Sequence, residues 1–167
     1  MKRKIIILLL SLLLSELAFA QSACDIPEHR QFDFWLGKWN VTGANGQIAG
    51  QNNITAILNG CVVAEHYVTP SGFEGRSLNG YDKQRQEWVQ TWMDNSGLVL
   101  RLAGQFKDGA MVLSGVGKDA QGRDVDHQIT WSSNSDGTVR QHWQMRLRGQ
   151  DSWSTLFDGT YTKVTSQ

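Results

Sequence analysis

The residue type best suited to proton or metal chemistry near neutral pH is histidine, present here as His29, His66, His127 and His142. No two of them stand at metal-ligand spacing, and neither H-E-x-x-H nor C-x-x-C occurs. A single lumen histidine can ligate haem. His127, sharing a strand face with Val125 and Ile129, is the one placed for that, and a partly buried histidine satisfied by hydrogen bonds is the plainer reading. Gly72-Phe73-Glu74-Gly75 and Gly75-Arg76-Ser77 do not match the G-x-S-x-G nucleophile elbow. Asp124 and Asp126 lie beside a turn, where solvation is expected, and paired-carboxylate catalysis needs convergence across a cleft. No catalytic residue, metal ligand or cofactor is therefore assigned.

Binding chemistry has more material. Glu65, Arg76, Asn79, Tyr81 and Gln141 fall inside strand-like segments rather than at turns. Any that point inward need partners, because an unpaired buried charge is costly, and a Glu65–Arg76 pair across one hairpin is expected. Trp88, Gln90, Trp92 and Asp94 share one face of a segment; with a tight turn over 94–97 that face continues to Val99 and Arg101. Together with Trp143, these residues would suit a ligand with a planar or apolar body and an anionic or carbonyl tip. The opposite face, Val89, Thr91 and Met93 with Leu98, Leu100 and Leu102, can equally be the inner one. The seven tryptophans, Trp35, Trp39, Trp88, Trp92, Trp131, Trp143 and Trp153, either fill a core or line a lumen.

The elements that must position these side chains read as strands. Turn signals recur at Asn45-Gly46, Asn59-Gly60, Pro70-Ser71-Gly72, Ser96-Gly97, Asp108-Gly109, Gln121-Gly122, Asp136-Gly137 and Gly149, and the Asn-Gly and Asp-Gly pairs suit two-residue hairpins. Between them side chains alternate. Val125, His127, Ile129 and Trp131 oppose Asp126, Gln128 and Thr130, and Val139, Gln141, Trp143, Met145 and Leu147 oppose Arg140, His142, Gln144 and Arg146. About ten strands are predicted, near 38–44, 47–55, 57–69, 75–82, 86–95, 97–107, 110–118, 123–132, 138–148 and 152–163. Asp25 to Leu36 reads as one short helix, with Asp25 as N-cap, Pro27 in the first turn and Gly37 ending it. Phe32, Trp35 and Leu36 share its apolar face, and capping one barrel end is its natural role. Consecutive hairpins make a meander, and closing it removes both exposed edges. The expectation is an all-β, single antiparallel up-and-down barrel, with a two-sheet sandwich as the alternative.

Gly37-Lys38-Trp39, at the start of the first strand, resembles the G-x-W of lipocalins. The longer string Phe32-Asp33-Phe34-Trp35-Leu36-Gly37-Lys38-Trp39 extends the likeness, with Leu58-Asn59-Gly60-Cys61, Gly75-Arg76-Ser77-Leu78-Asn79-Gly80-Tyr81-Asp82 and Phe157-Asp158-Gly159-Thr160-Tyr161. Together they resemble a family of secreted bacterial domains of unknown function. That resemblance implies a lipocalin-like barrel in which Trp39 plugs one end. By the lipocalin pattern an arginine (Arg140, Arg146 or Arg148) would pack over it.

Met1-Lys2-Arg3-Lys4, the apolar run Ile5–Leu14 and Ala18-Phe19-Ala20 have the layout of a secretory signal peptide cleaved after Ala20. Residues 21–167 are then one domain. Losing Lys2, Arg3, Lys4 and Glu16 from 16 basic and 16 acidic residues leaves 13 and 15, a net charge of −2. That balance argues against nucleic acid as a partner, and no further apolar stretch would span a bilayer. Cys24 and Cys61 are expected to form a disulfide in a periplasmic or extracellular setting, with lipidation of Cys24 as the rival. The functional expectation is a barrel binding a small apolar molecule. A filled structural module, or an enzyme using lumen groups such as Glu65, Arg76 or His127, are the alternatives.

Overall fold

Short breaks between alternating segments leave each strand next to the one before it in sequence, and the computed structural model, which describes residues 23–165, closes that chain of hairpins on itself. Ten strands run in order: β1 (Gly37–Gly43), β2 (Ile48–Ile57), β3 (Val62–Val68), β4 (Glu74–Asp82), β5 (Glu87–Asp94), β6 (Val99–Lys107), β7 (Ala110–Lys118), β8 (Asp124–Ser133), β9 (Val139–Leu147) and β10 (Ser154–Lys163). Each pairs antiparallel with its successor, and β10 returns to β1 through Trp39 opposite Lys163 and Val41 opposite Tyr161. The fold is an all-β, closed up-and-down barrel, so no strand edge is left unpaired. The third strand begins at Val62 rather than near residue 57, because Leu58, Asn59 and Gly60 all take positive φ and turn the chain there. The proposed leader, residues 1–20, lies outside the described residues.

Turn chemistry departs from the expected two-residue hairpins, and the departure decides which side chains face inward. Asp108-Gly109 is a two-residue turn with positive φ at both positions, joining Lys107 to Ala110. The 94–98 connection is longer by one. Asp94 N–H donates to Leu98 O and Gly97 N–H to Asp94 O, a type I turn followed by a left-handed glycine, Gly97 at φ +90°. Asp94 Oδ1 holds this turn by accepting from the N–H groups of Ser96 and Leu98. The same bonding pattern recurs at 43–47, 69–73, 119–123 and 134–138. One extra loop residue flips the partner strand's faces. Trp92 therefore lies opposite Leu100 and Gln90 opposite Leu102, not opposite Val99 and Arg101. Leu100 and Leu102 are buried while Arg101 points outward. The alternative inner face is split as well: Val89 and Met93 face solvent, Met93 at 54% exposure, while its Leu100 and Leu102 point inward.

Aromatic side chains seal the barrel end at which β1 begins. The segment expected as one helix forms two 3₁₀ turns instead, Pro27–Arg30 and Asp33–Trp35. The first is preceded by Ile26, not Asp25, and no side chain caps it. In 3₁₀ geometry residues i and i+3 eclipse, which sends Phe32 and Trp35 the same way. Their rings stack at 4.9 Å, and Phe32 meets Trp88 and Trp131 edge-on at 5.6 and 5.3 Å. Trp39 Nε1–H donates to Trp35 O (2.9 Å), tying strand to plug, and Trp88 Nε1–H donates to Gln31 Oε1 (3.1 Å). Trp35, Trp39, Trp88 and Trp131 are all essentially inaccessible.

The cation over Trp39 is Lys163, with Nζ 5.2 Å from the ring centre, rather than any of the three arginines expected there. Arg140 pairs with Asp158, Arg148 with Asp126, and Arg146 with Asp126 while lying over Trp153 on the outer wall. Lys163 takes the place because β10 pairs it directly with Trp39.

A disulfide between Cys24 and Cys61 fastens the plug segment to the β2–β3 turn across 37 residues. Closing a loop of that length stabilises by about 4 kcal/mol in the chain-entropy model. The paired Cys24→Ser, Cys61→Ser variant should lose about 3–4 kcal/mol in urea unfolding. A loss under about 1 kcal/mol would show that packing alone holds the plug.

Candidate functional site

Above the plug the inner wall divides. The inward positions of β2 to β5 include Asn52, Glu65, Ser77, Asn79 and Gln90, all buried. Strand register sets Glu65 directly opposite Ser77 and Asn79 opposite Gln90. Ser77 Oγ–H donates to Glu65 Oε2 at 2.6 Å and Asn52 Nδ2 to Glu65 Oε1 at 2.7 Å. Gln90 Nε2 donates to Asn79 Oδ1 (2.7 Å), and Asn79 Nδ2 donates to Ser77 Oγ and Val63 O, both at 2.9 Å. From β10, Tyr161 O–H donates to Gln141 Oε1 and receives a longer contact from Asn52 Nδ2, at 3.5 Å. Donors of this seam converge on the Glu65 carboxyl from two neighbouring strands.

Beside the seam lies a cavity of about 260 Å³, open toward the end opposite the plug. Its deeper wall comprises Glu65, Gln90, Leu100, Ile129, Trp131, Gln141 and Tyr161; Tyr67, Thr69, Phe73, Trp92, Asp94, Trp143, Leu156 and Phe157 complete it. Trp131 contributes ring surface to this wall, while its Nε1–H is buried without a hydrogen-bond partner. Gly75 makes room for Trp92: a Cβ there would come 2.0 Å from the indole ring, whose Nε1–H donates to Asp94 Oδ2 (2.9 Å).

Of the residues singled out from sequence, Glu65, Gln90, Trp92, Gln141 and Trp143 line this cavity. Asn79 and Tyr81 point inward without reaching it; Asn79 supports Gln90, and Tyr81 lies against Trp88 and His29. Trp88 belongs to the plug. Arg101 and Arg76 are corrections, since both face outward. Register sets Arg76 opposite His66, and its guanidinium contacts His66 and Glu74 on the outer wall, so the Glu65–Arg76 pair does not form. Adjacent residues of one strand point to opposite sides, and Glu65 and Arg76 differ by that one step. His127 points inward, its Nδ1 accepting from Trp143 Nε1–H (3.2 Å), and burial lowers its pKa. Among the described residues no three His, Cys, Asp or Glu side chains gather as a metal site.

Sequence reasoning missed Asn52, Ser77, Tyr67 and Tyr161, and read Leu100 and Ile129 only as members of alternating strand faces. A usable signal existed for two of them. Ser77 shares the parity of Asn79 and Tyr81, and Asn52 that of Ile54, so each is a polar residue on its strand's inner face.

Burial pushes the Glu65 carboxyl up from 4.5 to about 7, against the hydrogen bonds from Ser77 and Asn52 that favour its charge. Tyr161 and Tyr67 are raised as well, first by burial and then by Glu65's charge, so both stay neutral near pH 7. Because the folded-state pKa lies above the unfolded one, Glu65's contribution to stability is fully present below pH 4.5 and falls as the pH rises to about 7. The fall amounts to roughly 3 kcal/mol. Glu65→Gln should remove that component from the pH–stability curve in urea unfolding between pH 4 and 8; an unchanged curve would contradict the buried titration. Gly75→Ala should displace Trp92, change its fluorescence and cost about 1–3 kcal/mol. An unchanged emission spectrum would show that the ring is not packed on Gly75.

The chain matches no protein-family model, and no curated protein matches it in sequence.

Proposed function

We propose that the protein is an exported, lipocalin-like barrel that binds a small molecule of largely apolar or aromatic body inside its lumen. The observation that carries this reading is the cavity itself. It is walled mostly by aromatic and aliphatic side chains, with Glu65, Gln90 and Gln141 as polar groups at fixed positions, the arrangement that ligand sites commonly share. Its size, about 260 Å³, suits a ligand smaller than the usual occupants of pockets of ~300–1,000 Å³. The Cys24–Cys61 disulfide is compatible with an oxidising compartment outside the cytoplasm, and no helix of the described residues is long and apolar enough to cross a membrane.

Calorimetric titration with a neutral bicyclic aromatic, 1-naphthol, tests the pocket. The wild-type protein should give saturable heat. Leu100→Phe and Ile129→Phe, which fill the cavity, should weaken binding at least about tenfold, while Met93→Phe on the outer wall should not. Equal binding by the filled variants would overturn the reading.

A further inference from the structure

The cavity's electrostatics are one-sided. Two carboxylates line it, Glu65 and Asp94, and among the described residues no lysine, arginine or histidine does. Asp94 is committed to its turn and to Trp92, accepting from Ser96, Leu98 and the indole. Glu65 is not saturated. Each of its oxygens accepts one side-chain bond, from Asn52 and from Ser77, whereas an ionised carboxylate offers about four lone-pair sites. With Arg76 and Arg101 on the outside, the charge available to a ligand has the sign opposite to the one the sequence suggested.

Resting on the pocket reading above, we propose that the ligand is a small organic cation, a primary or secondary amine on a single-ring aromatic or branched aliphatic body, whose ammonium N–H groups donate to Glu65. A cation neutralises a carboxylate that is otherwise buried at a cost, and the charge-assisted bond strengthens where water is excluded. The remaining walls suit the same guest. Tyr67, Trp92, Trp131, Trp143, Phe157 and Tyr161 present aromatic rings, whose faces attract cations. A carboxylate ligand would meet Glu65 with no counter-charge in the lining.

Binding should follow the ionisation of Glu65. The groups facing it are Asn52 from β2 and Ser77 from β4, which do not titrate in this range, and Tyr67 and Tyr161, which burial keeps neutral. Against its burial, Asp94 is held low by its hydrogen bonds, and burial lowers the pKa of His127, on the inner face of β8. Glu65, raised to about 7, gains its charge between pH 5.5 and 8, and amine affinity should rise across that interval.

Calorimetry on the intact domain with three matched probes tests this: 2-phenylethylamine, 2-phenylethanol and phenylacetate. At pH 8 the amine should bind at least about tenfold more tightly than the alcohol, and phenylacetate should not bind. Glu65→Gln should bring the amine down to the alcohol's affinity, and moving wild-type protein to pH 5.5 should weaken the amine about tenfold without changing the alcohol. The pH arm stands even if the variant folds poorly. Equal binding of alcohol or phenylacetate at pH 8 would overturn the cation assignment and leave the pocket reading standing. A preference surviving in Glu65→Gln would overturn the role of Glu65. Silence from all three probes while 1-naphthol binds would overturn the inference alone; silence from all four would overturn both.

Discussion

Everything in this molecule depends on the pairing of β10 with β1. That ladder converts a ten-strand ribbon into a closed wall, abolishes its edges and creates an inside. It also seats Lys163 over Trp39 and Tyr161 beside the seam, so the last strand contributes to both the sealed end and the site. Without closure, the inward side chains of β1 to β10 would form one face of a twisted sheet with nothing opposite.

Closure alone would leave two open ends. The stretch from Pro27 to Trp35 fills one of them, stacking Phe32 and Trp35 among Trp88 and Trp131. Tryptophan therefore serves two purposes in one lumen. Trp35, Trp39 and Trp88 are plug, Trp92 and Trp143 are cavity wall, and Trp131 touches both. The disulfide holds the plug segment down at its far side, where little else in a short irregular stretch would resist fraying.

Inside, polar and apolar staves are segregated. Asn52, Glu65, Ser77, Asn79 and Gln90 sit on consecutive strands β2 to β5, while Leu100, Leu102, Met111, Leu113 and Ile129 sit on β6 to β8. Hydrogen bonds running across adjacent strands pair most of the polar side, the condition on which buried polar groups are tolerated, and leave Asn52 Oδ1 without a partner. Glu65 is the member whose burial opposes stability at neutral pH. That carboxyl sits among donors at the wall of an aromatic-lined cavity, where burial shifts its pKa up from the free value.

The sequence by itself indicated about ten strands in an antiparallel meander, and favoured closure over a sandwich and a Cys24–Cys61 disulfide over lipidation of Cys24, because period-two alternation, left-handed glycines and an even cysteine count are local or compositional properties. Five inward residues of the site, Glu65, Gln90, Trp92, Gln141 and Trp143, were legible for the same reason. Only the tertiary structure decided the faces and the partners. One extra residue in the 94–98 turn exchanged Arg101 for Leu102 opposite Gln90, and the β3–β4 register exchanged Arg76 for Ser77 opposite Glu65. Those two exchanges reverse the charge of the lumen. A strand's side-chain direction repeats every second residue, so a one-residue difference in loop length, invisible in the strand pattern itself, turns an arginine-lined pocket into an acidic one.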